Sequence, residues 1–304
     1  MSIRAFTPDA VPGPALVCGA RRRVLWIGDT ESVEMSLVRD AMAVDADIVD
    51  VATPRDAAAL AAAGERRSPA FAVLAADRPG RFAQTDAVLV SRAWPLVPLV
   101  SAASSLVDGR RRSGPPLPGV EEVPWHDLPG RARWWLAALD AGLPTSLGLP
   151  ATARREERVL DAVVACGRRA ASALAAGPVE VAVAASRGEA VEGLCDLLDV
   201  AGHVVVHRVV GRPPVDLSAA ALVWDAGELG PDRIEWLRLV SANRPGLFTV
   251  VLESFPRGDS VVEAVRAGAR AVLGRPVSLE ALAGTLLGMR NAGQPGLSRG
   301  AVAR

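Results

Sequence analysis

Residues 247–290 read LFTVVLESFPRGDSVVEAVRAGARAVLGRPVSLEALAGTLLGMR. Thr249–Leu252 is a short apolar run rich in β-branched residues, which predicts a strand. Asp259 or Ser260 caps a following helix that carries Val261, Val262 and Val265, and Gly268 closes it. Ala271–Leu273 is a second apolar run, and Arg275-Pro276 makes a sharp turn. Ser278 then opens a helix with Leu279, Leu282 and Leu286 at the spacing of one buried face. A helix between two short apolar strands is a βαβ unit, with parallel strands and a right-handed crossover.

The same alternation extends in both directions. Upstream, Val179–Ala184 is a strand, and Val191, Leu194, Cys195 and Leu198 lie on one face of a helix closed by Gly202. Val204–Val206 and Ala221–Trp224 are strands, the latter ending in Asp225, and Pro231–Ala242 is a helix. Between Val210 and Ala221 there is little room for a helix. Residues 21–142 repeat the order. Strands are expected at Val24–Ile27, Ile48–Val51, Phe71–Leu74 and Leu96–Val100, with a weak one near Val120–Val123. Helices are expected from about Thr30, from Thr53-Pro54 (a cap followed by proline at the first helical position), over Thr85–Arg92, and from Pro129. A Pro/Gly-rich loop at 108–119 replaces or weakens the fourth helix. The pattern predicts an α/β protein of two flavodoxin-like, doubly wound, parallel five-stranded sheets in tandem, joined by a helix.

The boundaries that follow are a flexible arm at 1–20, a first unit at 21–142, a linker and connecting helix at 143–178, a second unit at 179–290, and a disordered tail at 291–304. In the connecting helix Leu160, Val163, Gly167, Ala170 and Leu174 recur at 3, 4, 3, 4 spacing. That seam either packs on its own chain or pairs with a second copy.

Composition narrows the function. Arg balances Asp+Glu, 34 against 34. The halves carry 16 against 17 and 18 against 17, so charge alone does not call for a nucleic acid. The sequence contains no Lys, which excludes a GxxxxGK phosphate loop and Schiff-base chemistry. No GxGxxG follows a first strand, and no GxSxG stands at a strand-to-helix turn as a nucleophile elbow. Cys18, Cys166 and Cys195 are far apart and suit reduced thiols. His203 and His207 lie four apart on an expected strand, without the geometry of a helical metal pair. Arg110–Arg112 sits in a loop with no reading helix or aromatic platform beside it. Trp134-Trp135 is expected in the core, with an exposed partner-binding Trp as the alternative. With no apolar leader and no long apolar run, the chain is expected to be cytoplasmic and not membrane-bound.

The order Asp225 after a strand, a strand, a helix ending Gly268-Ala269, a strand, then Arg275-Pro276 and a helix resembles a response-regulator receiver domain. The resemblance implies five chemical elements. Two acidic residues after the first strand hold Mg²⁺, an Asp after the third accepts phosphate, a Thr or Ser follows the fourth, and a Lys-Pro follows the fifth. In the second unit Asp225 stands at the acceptor, Arg275 at the Lys, and Glu253 with Ser254 at the Thr/Ser. The acidic pair falls on Ala185 and Ser186. In the first unit Gly28 and Asp29 stand at the acidic pair, Ala75 at the acceptor (Asp77 is two residues late) and Ser101 at the Thr/Ser. Asp29 is read as a helix cap or a metal ligand. A carboxylate at Glu253 would repel a phosphorylated Asp225 or pair with Arg275.

Neither unit carries a full set. The sequence therefore reads as a non-catalytic regulatory protein of two degenerate receiver-like units, with no cofactor and no metal. It would act on other signalling proteins, nucleic acid being an unlikely partner, and a homodimer through 153–175 or the 258–290 face is an expected form. One alternative is a response regulator phosphorylated on Asp225 with Mg²⁺. Another is a nucleotide-binding α/β enzyme.

Overall fold

The computed structural model describes residues 21–28, 30–64, 67–107, 117–149, 153, 155–167 and 177–291. The expected arm, most of the 108–119 loop with Arg110–Arg112, Asp29, the tail beyond 291, and Ala170 and Leu174 of the seam lie outside them. The first unit holds strands β1 (Arg23–Ile27), β2 (Asp47–Val51), β3 (Phe71–Ala76), β4 (Leu99–Ala103) and β5 (Glu121–Pro124). Its helices are α1 (Val33–Ala43), α2 (Pro54–Ala62), α3 (Gln84–Ala93) and α4 (Leu128–Asp140). After α5 (Arg155–Cys166) the second unit has β6 (Glu180–Ala185), β7 (Val204–Val210), β8 (Ala221–Gly227), β9 (Phe248–Glu253) and β10 (Ala271–Gly274). Its helices are α6 (Gly188–Val200), α7 (Pro231–Asn243), α8 (Gly258–Arg266) and α9 (Leu279–Asn291).

The two sheets run β2-β1-β3-β4-β5 and β7-β6-β8-β9-β10, with the described strand pairs parallel. Both are the flavodoxin-like order 2-1-3-4-5. Central strands such as β3 (FAVLAA) and β6 (EVAVAA) are buried almost throughout, as strands covered on both faces require. β7 lies at an edge, and its VVVHRVV alternates between exposed and half-buried. Thr53 caps α2 as expected, and Asp56 completes a capping box with it. Residues 211–220 form no helix, so the second unit lacks a counterpart of α2.

Two boundaries differ from expectation. β4 begins at Leu99, three residues later than the sequence suggested, and Leu96 is 94% exposed. Pro95 and Pro98 carry no N–H for a ladder, so pairing starts only beyond them. α1 begins at Val33, capped by Ser32, whose hydroxyl accepts from the Met35 amide at 3.2 Å. The cap of α1 is therefore Ser32.

The two units share a core. One apolar cluster runs from Met35, Val38, Leu128 and Trp134 in the first to Val261, Ala264, Val272 and Ala283 in the second. Its centre is a crossing of α4 on α9 made close by small residues. A Cβ on Gly284 would overlap the carbonyl oxygen of Gly130, and a Cβ on Gly130 would lie 2.7 Å from Thr285 Oγ1. Trp134 and Trp135 are both buried, so neither offers an exposed partner surface. α5 buries Ala165 and Cys166, while Leu160 and Val163 of the expected seam are exposed.

Candidate functional site

In the second unit β8 delivers Asp225 to the C-terminal edge of the sheet. β6 runs alongside in register, so that Ala185 pairs with Asp225. Arg275 follows β10 directly, next to a cis Arg275-Pro276 peptide. Its Nη2 lies 3.3 Å from Asp225 Oδ2, and its Nη1 lies 3.4 Å from the Ser254 hydroxyl. The other oxygen of Asp225 accepts from the Gly227 amide at 3.2 Å. Asp225, Ser254 and Arg275 therefore meet at one site. The side chain of Asp225 is 5% exposed and that of Arg275 33% exposed, which makes this a half-sheltered ion pair.

Glu253 turns the other way. It lies one residue beyond the register partner of Asp225 and is buried. Its Oε2 accepts from Ser260 Oγ at 3.0 Å, at the start of α8. Burial pushes its carboxyl above the usual range, against the Ser260 and Leu229 hydrogen bonds that favour the charged form. Of the two readings of Glu253, the pairing with Arg275 is not formed among the described residues; the carboxylate takes the Ser260 hydroxyl instead.

A receiver's acceptor carboxylate needs a divalent cation beside it, held by further carboxylates. Here Ala185 and Ser186 stand where those would be, and a guanidinium occupies the flank of Asp225. The donor set does not suit Mg²⁺. Among the described residues no group of three or more His, Cys, Asp or Glu side chains is placed to hold a metal. His207 is engaged by the Ser218 carbonyl at 3.2 Å, and His203 Nδ1 accepts from the Val179 amide at 3.4 Å.

The first unit's counterpart is closed. Ala75 is the register equivalent of Asp225, as expected. A Cβ on Gly28 would lie 3.1 Å from Ala75 Cβ and 3.5 Å from Phe82 Cζ, and Gly28 has φ +120°. Ser101 is not at the strand end. It lies inside β4, buried, opposite Leu74 and Glu122. Ser104 holds the end position, its hydroxyl donating to the Asp77 carbonyl at 2.7 Å. The three-residue shift of β4 accounts for the misplacement.

Sequence reasoning missed a second set of residues that joins the units. Glu34 of α1 accepts from the Gly258 amide at 3.2 Å, the first residue of α8, and from the Ser105 amide at 2.7 Å. His126 Nδ1 accepts from the Gly274 amide at 3.0 Å, on the outer edge of β10 and one residue before Arg275. Arg131 of α4 reaches Glu280 of α9 at 2.9 Å and Glu121 at 2.6 Å. Trp135 Nε1 donates to Glu280 at 3.2 Å, and Ser146 Oγ donates to it at 3.0 Å. The stretch read as a linker thus supplies Ser146 to a buried polar cluster. These contacts cover α8, β10 and α9. The face expected to form a homodimer at 258–290 is taken up within the chain by α1 and α4.

No family model matches the chain, and no curated protein does. Solved structures resembling part of it include a pilus assembly-related protein of Burkholderia pseudomallei, 24% identical, with 37% of this chain and 90% of that one covered and a TM-score of 0.35. The pilus assembly protein CpaE of Burkholderia thailandensis is 26% identical over 37% of this chain and 98% of its own, with a TM-score of 0.35. Response-regulator receiver domains are also among them. One is CheY of Borrelia burgdorferi in its complex with CheX, 10% identical over 38% of this chain and 92% of its own, TM-score 0.33. Each match spans little more than a third of this chain.

Proposed function

We propose that this chain is a non-catalytic regulatory protein of two receiver-like units, working through protein contacts and without metal or cofactor. The observation that carries the reading is the flank of Asp225. Where a phosphoacceptor needs carboxylates to hold a cation, Ala185 stands in register and Arg275 pairs with the carboxylate instead. A guanidinium so placed compensates Asp225 permanently, whereas a phosphoacceptor's cation compensates only while bound. We place the protein in the cytoplasm, where Cys166 and Cys195, both buried and free, stay reduced.

The 258–290 face being covered, the surface that remains for a second copy is the outer stripe of α5. Val159, Leu160, Val163 and Val164 are all exposed there, at 58%, 66%, 38% and 65%. Two such stripes laid together exclude water from four branched side chains each. Light scattering is expected to show a dimer that Leu160→Glu converts to a monomer; identical masses for both proteins would remove this part of the reading.

The experiment for the main claim is incubation of the full chain with acetyl phosphate and Mg²⁺, followed by intact-mass analysis. No covalent phosphate is expected. A phosphate adduct that disappears in Asp225→Ala would establish the phosphorylated alternative. A thermal-shift screen with nucleotides and dinucleotides is expected to give no stabilisation, and a clear shift would favour a nucleotide-binding enzyme.

A further inference from the structure

Where the two units meet, α1 and the β5–α4 corner of the first face α8 and β10 of the second across a cleft of about 270 Å³. Leu37, Val38, Val265 and Val272 make it mostly apolar. Its size lies near the lower end of small-molecule sites, roughly 300–1,000 Å³, and the seam between units is a common place for one. The charged lining is of one sign. Arg133 and Arg270 contribute to it, and among the described residues no acidic side chain does.

The two cations are not equivalent, since Arg133 is already compensated by Asp45 at 2.8 Å. The guanidinium of Arg270 is exposed and has no hydrogen bond or ion pair among the described residues. Trp125, buried, forms part of the apolar wall. An apolar chamber with a cation at its rim that has no partner among the described residues is complementary to a small molecule with an apolar body and an anionic head.

We propose that this cleft binds a small amphipathic monoanion, of the class of medium-chain or aromatic carboxylates. The carboxylate would take the Arg270 guanidinium and the body would lie against Leu37 and Val265. Such a ligand touches both units at once. It lies apart from the Asp225–Arg275 pair, so the proposal stands or falls separately from the proposed lack of phosphotransfer.

The test is isothermal titration of the full chain with octanoate, and with octylammonium as the cationic control. One saturable octanoate site per chain is expected, with octylammonium at least about tenfold weaker. Arg270→Gln changes only a surface side chain and is expected to weaken octanoate about tenfold, the size of one charge-assisted contact. Val265→Trp, at the half-exposed mouth, should fill the cleft and abolish binding, with circular dichroism confirming the fold. Asp225→Asn should leave binding unchanged. Absence of saturable octanoate binding overturns the proposal. So does equal binding of octylammonium, or octanoate affinity untouched by Arg270→Gln.

Discussion

Adding one methyl group at Gly284 tests the packing of the two units. An ideal Cβ there would overlap the carbonyl oxygen of Gly130. It would also lie 2.8 Å from that carbonyl's carbon, about 0.6 Å short of the 3.4 Å at which ordinary contact begins. The obstructing atoms are backbone, so no rotamer change relieves the overlap and α4 must move away from α9. Overpacking of this kind costs roughly 1–3 kcal/mol. Against it stands the helix propensity gained on replacing an interior Gly by Ala, about 0.8–1 kcal/mol. Gly284→Ala is therefore expected to destabilise the chain by up to about 2 kcal/mol, the overlap with backbone atoms placing the cost toward the upper end. Gly193 is the control: it lies inside α6 with nothing within 4 Å of its would-be Cβ. Gly193→Ala should stabilise by about 0.5–1 kcal/mol, since only propensity acts. Urea unfolding followed by circular dichroism measures both, read from midpoints at constant slope. The opposite signs are the result to look for. If Gly284→Ala stabilises as much as Gly193→Ala, the helices do not cross as described.

Two further predictions come from the buried charges. Arg131→Met leaves Glu280, 2% exposed, and Glu121 without their shared cation, and should cost about 3–5 kcal/mol in the same urea assay; a loss below about 1 kcal/mol would refute a working buried network. Glu253, held above its usual range chiefly by burial, binds its proton more readily folded than unfolded. Its contribution to stability is therefore full below the unfolded-state pKa and is lost as pH rises through the raised folded value. Glu253→Gln should be more stable than the parent at neutral pH, with the difference shrinking on acidification into the ordinary carboxylate range; a difference that grows on acidification would show the sign to be wrong.

The repeat of strands and helices was legible because each central strand is a short apolar run and each helix carries one apolar face. Asp225 and Arg275 were legible as members of one site through the receiver resemblance, which sets both at the same end of the sheet. Ser101 was misjudged because an apolar run marks a strand without marking its first hydrogen bond, and Pro98 sets that. Glu253 was misjudged for a related reason: its position after β9 was right, but its direction depends on Ser260 of α8, which no periodicity reports. The joining of the units was the least legible. Glu34 reads as an ordinary acidic residue in a helix's first turn, yet its partner is an amide 224 positions away. Gly130 and Gly284 offered a signal, since Gly in a helix interior is costly and suggests a close approach.

The account rests most on the claim that the first unit covers the α8–β10–α9 face of the second. The amide of Gly258 tests it directly. As the first residue of α8 it has no acceptor within its own helix, and an amide so placed normally exchanges freely. Here it is buried and donates to Glu34 of the other unit. Hydrogen exchange resolved by NMR on the full chain should find Gly258 protected, and Glu34→Ala should abolish that protection while leaving the β8 amides slow. Fast exchange of Gly258 in the unaltered chain, with β8 still protected, would contradict the account.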